Sequence, residues 1–130
     1  MSANARYPAA LAVACYGDGT VDIHPIAPDG YLGKTGQSLH GAGKVSRINQ
    51  DGPHAHAALQ VDAATVLTTD LGTDEVYIHT LHGDLLTRTG SVKFPQGTGP
   101  RDLFLHPSGL VWMLSELSHE IYVLAREGDG

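Results

Sequence analysis

The alternation of apolar and polar positions draws one figure three times along the chain. Residues 11–15 (LAVAC) and 21–26 (VDIHPI) are short apolar or alternating runs, and the YGDGT stretch between them has the composition of a hairpin turn. The figure returns at 66–70, a turn at 71–74 (LGTD) and 75–81, where Val76 and Ile78 alternate with Tyr77 and His79. It returns once more at 110–116, 117–120 and 121–124. Three antiparallel hairpins are expected. Extended segments precede the second and third of them, 54–62 (HAHAALQVD) and 100–107 (PRDLFLHP), and candidate outer strands fall near 36–39 and 88–94. The pattern predicts ten short strands and almost no helix.

Superposed on Val21, Val76 and Ile121, the copies lie 55 and 45 residues apart. Repeats of about 40 to 50 residues are those of four-stranded propeller blades. The surplus in the first interval fits a loop insertion at 39–52, a polar stretch with no alternation. The expected fold class is all-β, a β-propeller segment of about two and a half blades with approximate bounds 7–52, 53–97 and 98–130. In this reading 54–62 and 100–107 are the innermost strands of their blades. The first copy has no room for its innermost strand and the third stops before its outermost one. Because an open ring leaves sheet edges exposed, the expectation is missing blades from a longer chain, or self-association.

Composition narrows the partners. With 130 residues there is one domain, and a net charge of −6 lacks the basic footprint of a nucleic-acid or acidic-membrane binder. Cys15 is the only cysteine, which excludes an internal disulfide and suits a reducing, cytoplasmic setting. The first apolar stretch, 9–15, is too short to span a bilayer, and Arg6 is the only basic residue before it, so no export signal is expected. A small molecule or a protein partner remains.

Specific strings then carry a resemblance: Ala14-Cys15-Tyr16-Gly17, Gly52-Pro53-His54-Ala55-His56, Asp70-Leu71-Gly72-Thr73-Asp74, Gly99-Pro100-Arg101 and Ser115-Glu116-Leu117. In this order and spacing they resemble the seven-bladed propeller lactonase family, over most of the chain from Tyr7 to Leu124. That family includes bacterial 6-phosphogluconolactonases of the propeller type and fungal carboxy-cis,cis-muconate cyclases. The resemblance implies an incomplete seven-bladed ring, a lactone hydrolase of carbohydrate metabolism, no cofactor, no metal and an anionic lactone as small-molecule partner. The rivals it leaves open are a lactonising cyclase-type isomerase and a non-catalytic propeller fragment that binds a partner chain. The chain departs from the family's pattern at Asp102, where His is usual, and at Cys15 and Ser115, where Asn is common.

Five residues could carry chemistry. His54 and His56, two apart on an extended segment, are expected to project from one face of an innermost strand, where an imidazole could deprotonate the water that attacks a lactone carbonyl. His56 is slightly preferred; the alternative is that the pair hydrogen-bonds neighbouring backbone. Arg101 opens the next innermost strand and could clamp a phosphate or carboxylate with its fork, or simply form a surface ion pair. Glu116 could orient the imidazole or protonate the departing ring oxygen. Asp70, a second candidate for substrate binding, could instead cap its own turn. A zinc site built on His54 and His56 is not expected, because the other six histidines sit at no ligand spacing. Trp112, Tyr77 and Tyr122 are read as packing between blades.

Overall fold

The computed structural model describes residues 10–29, 31, 36–41, 52–82 and 85–126. Among them are ten strands and no helix: β1 (Ala10–Cys15), β2 (Thr20–Pro25), β3 (Gln37–His40), β4 (Ala55–Asp62), β5 (Thr65–Asp70), β6 (Glu75–His82), β7 (Leu85–Lys93), β8 (Pro100–Leu105), β9 (Val111–Ser115) and β10 (Ile121–Leu124). They form three antiparallel meanders, β1-β2-β3, β4-β5-β6-β7 and β8-β9-β10. The outer strand β7 starts at Leu85, earlier than the alternation near 88 suggests, and β3, expected near 36–39, runs on to His40, within the expected loop. The rest of that expected insertion, 42–51, lies outside the described residues, as does the stretch before β1.

The turn chemistry that predicts the hairpins also explains their equivalence. β1, β5 and β9 end at Cys15, Asp70 and Ser115, and four residues further on each chain passes through a left-handed backbone position: Gly19 at φ 74°, Asp74 at 59° and His119 at 59°. Glycine and aspartate tolerate this conformation better than bulkier side chains do. The three hairpins are therefore one structural unit repeated.

Each sheet packs face to face on the next. Val21 and Ile23 of the first sheet meet Ala55, Val66 and Leu86 of the second. The other face of the second sheet brings Leu67 and Val76 against Leu103, Val111 and Met113 of the third, with Phe94 in the same core. Because period-two alternation sends Val66 one way and Leu67 the other, β5 is buried on both faces, and its sequence reads as an unbroken apolar and Thr run. Polar links tie the outer strands as well. The Gln37 amide bridges to the Leu86 backbone through both its oxygen and its nitrogen, and Arg88 donates to the His40 carbonyl at 2.7 Å while lying 3.9 Å over the Tyr77 ring.

The third sheet differs on its far side. Phe104, Trp112, Leu114, Ile121 and Val123 project from one face that no described sheet covers, so Trp112, expected between blades, is 44% exposed, with the His106 ring stacked on it at 5.4 Å between centroids. Tyr77 is buried and Tyr122 packs edge-on against Phe94, as expected of both.

Candidate active site

The inner strands β4 and β8 lie side by side, and each starts with the same irregularity. In β4 the pairing with β5 steps from Ala55 to Ala57 and passes over His56; in β8 the pairing with β9 steps from Pro100 to Asp102 and passes over Arg101. Both are β-bulges, in which one extra residue leaves the ladder and its side chain is re-aimed. His56 and Arg101 thus occupy one structural position in consecutive sheets.

The two histidines do not share a strand face by simple alternation, as their spacing predicted, because β4 begins after His54 and is bulged at His56. They meet instead at Tyr16, in the first hairpin turn. The His54 ring stacks on Tyr16 at 4.4 Å between centroids, and His56 stands edge-on to the same ring at 6.0 Å. The His54 Nδ1 lies 2.6 Å from the Tyr16 carbonyl oxygen. A carbonyl only accepts, so Nδ1 carries the proton and the tautomer of His54 is set by the backbone of the neighbouring sheet.

Arg101 and Glu116 come together, with guanidinium and carboxylate 3.5 Å apart. The side chains are 48% and 34% exposed, a setting in which an ion pair adds about 0–1 kcal/mol of stability. The pair orients more than it stabilises. Glu116 is held from behind, since its amide donates to the Gly99 carbonyl at 2.8 Å and the next two amides donate to Thr98. The loop 97–99 is in turn fixed by the fully buried Asp74, whose two carboxylate oxygens accept from the Gly97 and Gly99 amides at 2.8 Å each.

Asp70 takes the capping role that the sequence also offered. Only 1% exposed, it accepts from the amides of His54, Gly72 and Thr73 through Oδ1 at 2.8, 3.0 and 3.1 Å. Burial raises its pKa, against the lowering effect of these three amides. As a substrate-binding residue it presents no accessible surface; it shapes the turn beneath His54. Gly72 belongs to the same turn, and a Cβ there would collide with the Gly52 carbonyl, so the loop before His54 closes tightly over it.

Tyr16, Asp74 and Thr69 were missed by residue-by-residue reading. A signal for Tyr16 existed, because aligning the repeats places it at the same turn position as Glu116. The roles of Asp74 and Thr69 depend on loop and bulge geometry that leaves no mark in composition. Among the described residues no three His, Cys, Asp or Glu side chains gather to hold a metal ion. A cavity of about 770 Å³ opens at the opposite end of the inner strands, lined by Val61, Ile78, Leu105, Leu110, Leu124 and Arg126 among others. It contains none of the five candidates.

Comparison with known proteins bears on this geometry. The chain is 34% identical over 113 residues to a 6-phosphogluconolactonase of Bacillus subtilis, covering 85% of this chain and 32% of that protein. The periplasmic gluconolactonase of Pseudomonas aeruginosa superposes with a TM-score of 0.82 at 27% identity, over 94% of this chain and 37% of that one. A Bacteroides uniformis structure shares the fold with a TM-score of 0.86 at 24% identity, over 92% and 36%. This chain spans about a third of the length of these relatives. The family model described as "Lactonase, 7-bladed beta-propeller" matches residues 4–130, and the three stacked meanders are a partial propeller of that kind; the chain belongs to the seven-bladed β-propeller lactonase family.

Proposed function

We propose that this chain contributes to hydrolysis of an anionic sugar lactone, with 6-phosphogluconolactone as the substrate, and that His56, Arg101 and Glu116 carry the chemistry. The observation that supports this most is the pair of equivalent bulges, at His56 in β4 and at Arg101 in β8, on neighbouring inner strands. The name of the B. subtilis relative supports the choice of lactone. The single cysteine suits a cytoplasmic reaction.

In this mechanism His56 takes a proton from water as the oxygen attacks the lactone carbonyl carbon. The carbonyl becomes an oxyanion, then re-forms as the ring C–O bond breaks, and the departing alkoxide recovers a proton from the imidazolium. Arg101 holds the phosphate or the oxyanion through its planar fork, and Glu116 keeps that fork oriented. His54, stacked on Tyr16 with its tautomer fixed, forms the wall beside the base. A lactone is an activated ester, so no covalent nucleophile is required. In a propeller the central channel is walled by several blades, and these three sheets provide one arc of it.

The test is the rate of 6-phosphogluconolactone hydrolysis above the spontaneous background, measured for the chain and for His56→Ala and Arg101→Lys. The expected result is acceleration that falls about 100-fold in His56→Ala, and a KM about tenfold higher in Arg101→Lys, which keeps the charge and loses the fork. Acceleration that persists unchanged in both variants would refute the assignment.

A further inference from the structure

A bulge leaves backbone groups of its extra residue outside the ladder. The Ala57 amide, directly after the bulged His56, and the carbonyl of the bulged Arg101 have one common partner. The Thr69 hydroxyl, on β5 next to the inner strand β4, accepts from the Ala57 amide at 3.0 Å and donates to the Arg101 carbonyl at 2.8 Å. Thr69 is fully buried, and a hydroxyl has one proton to give and lone pairs to receive, so one atom joins the bulge of β4 to the bulge of β8.

Among the described sheets the link is not repeated. Counting back one residue from the strand ends Cys15, Asp70 and Ser115, the positions equivalent to Thr69 are Ala14 and Leu114. Neither has a hydroxyl. Among the described residues this hydroxyl bridge occurs at the junction between His56 and Arg101.

We propose that Thr69 is a positioning residue for the candidate site, fixing the distance and angle between the two bulged side chains through their backbones without touching substrate. The proposal deepens the lactonase reading and rests on it for its catalytic consequence; its structural content stands apart. Misplacement of a reacting group by about 1 Å can cost about 100-fold in rate, and freeing two bulges is a direct way to cause it.

Two variants separate position from packing. Thr69→Val keeps the shape and removes the hydroxyl; Thr69→Ser keeps the hydroxyl and removes a methyl. In Thr69→Val the Ala57 amide is expected to exchange with solvent at least about tenfold faster, with altered NMR shifts for the His56 ring and the Arg101 Nε–H. Its kcat for 6-phosphogluconolactone should fall about 10- to 100-fold with KM within about threefold. Thr69→Ser should restore both readouts to near wild type. The proposal is overturned if folded Thr69→Val matches wild type in amide exchange and ring shifts, if Thr69→Ser is as impaired as Thr69→Val, or if Thr69→Val does not fold, which would assign the hydroxyl to stability. If the wild-type chain hydrolyses no lactone, the lactonase reading fails, and the NMR readouts alone decide whether Thr69 joins the bulges.

Discussion

Asp74 lies at the point where fold and candidate site are coupled, and its replacement is the most informative perturbation of stability. The carboxylate is fully buried, sits on a left-handed residue and accepts two short bonds from Gly97 and Gly99. Asp74→Asn leaves one carbonyl oxygen, so one bond loses its charge assistance, and the new NH2 faces the other amide, donor against donor. A buried donor left without an acceptor costs about 1–3 kcal/mol, and the loss of charge assistance adds about 1 kcal/mol, for a total of about 2–4 kcal/mol. Asp74→Gly removes both bonds, at about 1.5–3 kcal/mol each. It regains about 1 kcal/mol by relieving the left-handed backbone, so its net cost is about 2–5 kcal/mol. Against a domain stability of about 5–15 kcal/mol, both variants should stay folded with clearly lowered midpoints. Urea denaturation followed by far-UV circular dichroism, with m unchanged, measures the difference. Because loop 97–99 also receives the amides of Glu116, Leu117 and Ser118, the same variants should loosen the Arg101–Glu116 pair. A loss below about 0.5 kcal/mol in Asp74→Asn, the ordinary range for an unimportant surface change, would show that Asp74 does not hold loop 97–99.

Other consequences are accessible with equal directness. His79 is buried with its Nε2 3.0 Å from the Thr68 hydroxyl, and burial, aided by the nearby Arg88 charge, pushes its pKa down to about 4. Its ordinary value is near 6.5, so the unfolded chain takes up this proton first and stability should fall as pH drops from about 6.5 towards about 4. Comparing His79→Gln with wild type across that window isolates the effect, and identical pH profiles would contradict it. Trp112 is the only tryptophan, 44% exposed with one ring face against His106, so neutral acrylamide should quench its fluorescence readily, though less than that of a free indole; a strongly protected, blue-shifted emission would show that something covers the third sheet in solution.

Much of the fold is legible in the sequence for reasons that are local. Hairpins announce themselves through turn residues flanked by apolar runs, and the recurring interval between them identifies the blades. The sequence predicts a short β7 because only Leu86 is buried among Leu85-Leu86-Thr87-Arg88, which leaves no alternation to mark the strand's start. The fate of β9 is less local. Val-Trp-Met-Leu-Ser is apolar on both faces, like the doubly buried β5, yet Trp112 and Leu114 are exposed because no described sheet packs on that side. At the site, the sequence supplied the residue types at His54, His56, Arg101 and Glu116 but not the bulges that aim two of them. Nothing in HAHA or PRD distinguishes a regular strand from one with an extra residue, since the bulge depends on the partner strand's register. Arg101 illustrates the limit well: the surface ion pair and the anion clamp were read as alternatives, and the structure gives the ion pair with Glu116, the other residue assigned to the site.

We propose that ligand chemistry resides where β4 and β8 begin and not at the apolar cavity where they end. Titrating the 15N- and 13C-labelled chain with 6-phosphogluconate, the stable hydrolysis product, tests it most directly. Resonances of His54, His56, Arg101 and Glu116 are expected to move together along one saturable curve, while Leu105, Leu110 and Arg126 stay still. Shifts confined to the cavity around Leu105 and Arg126, with the His56 and Arg101 signals unmoved, would contradict it.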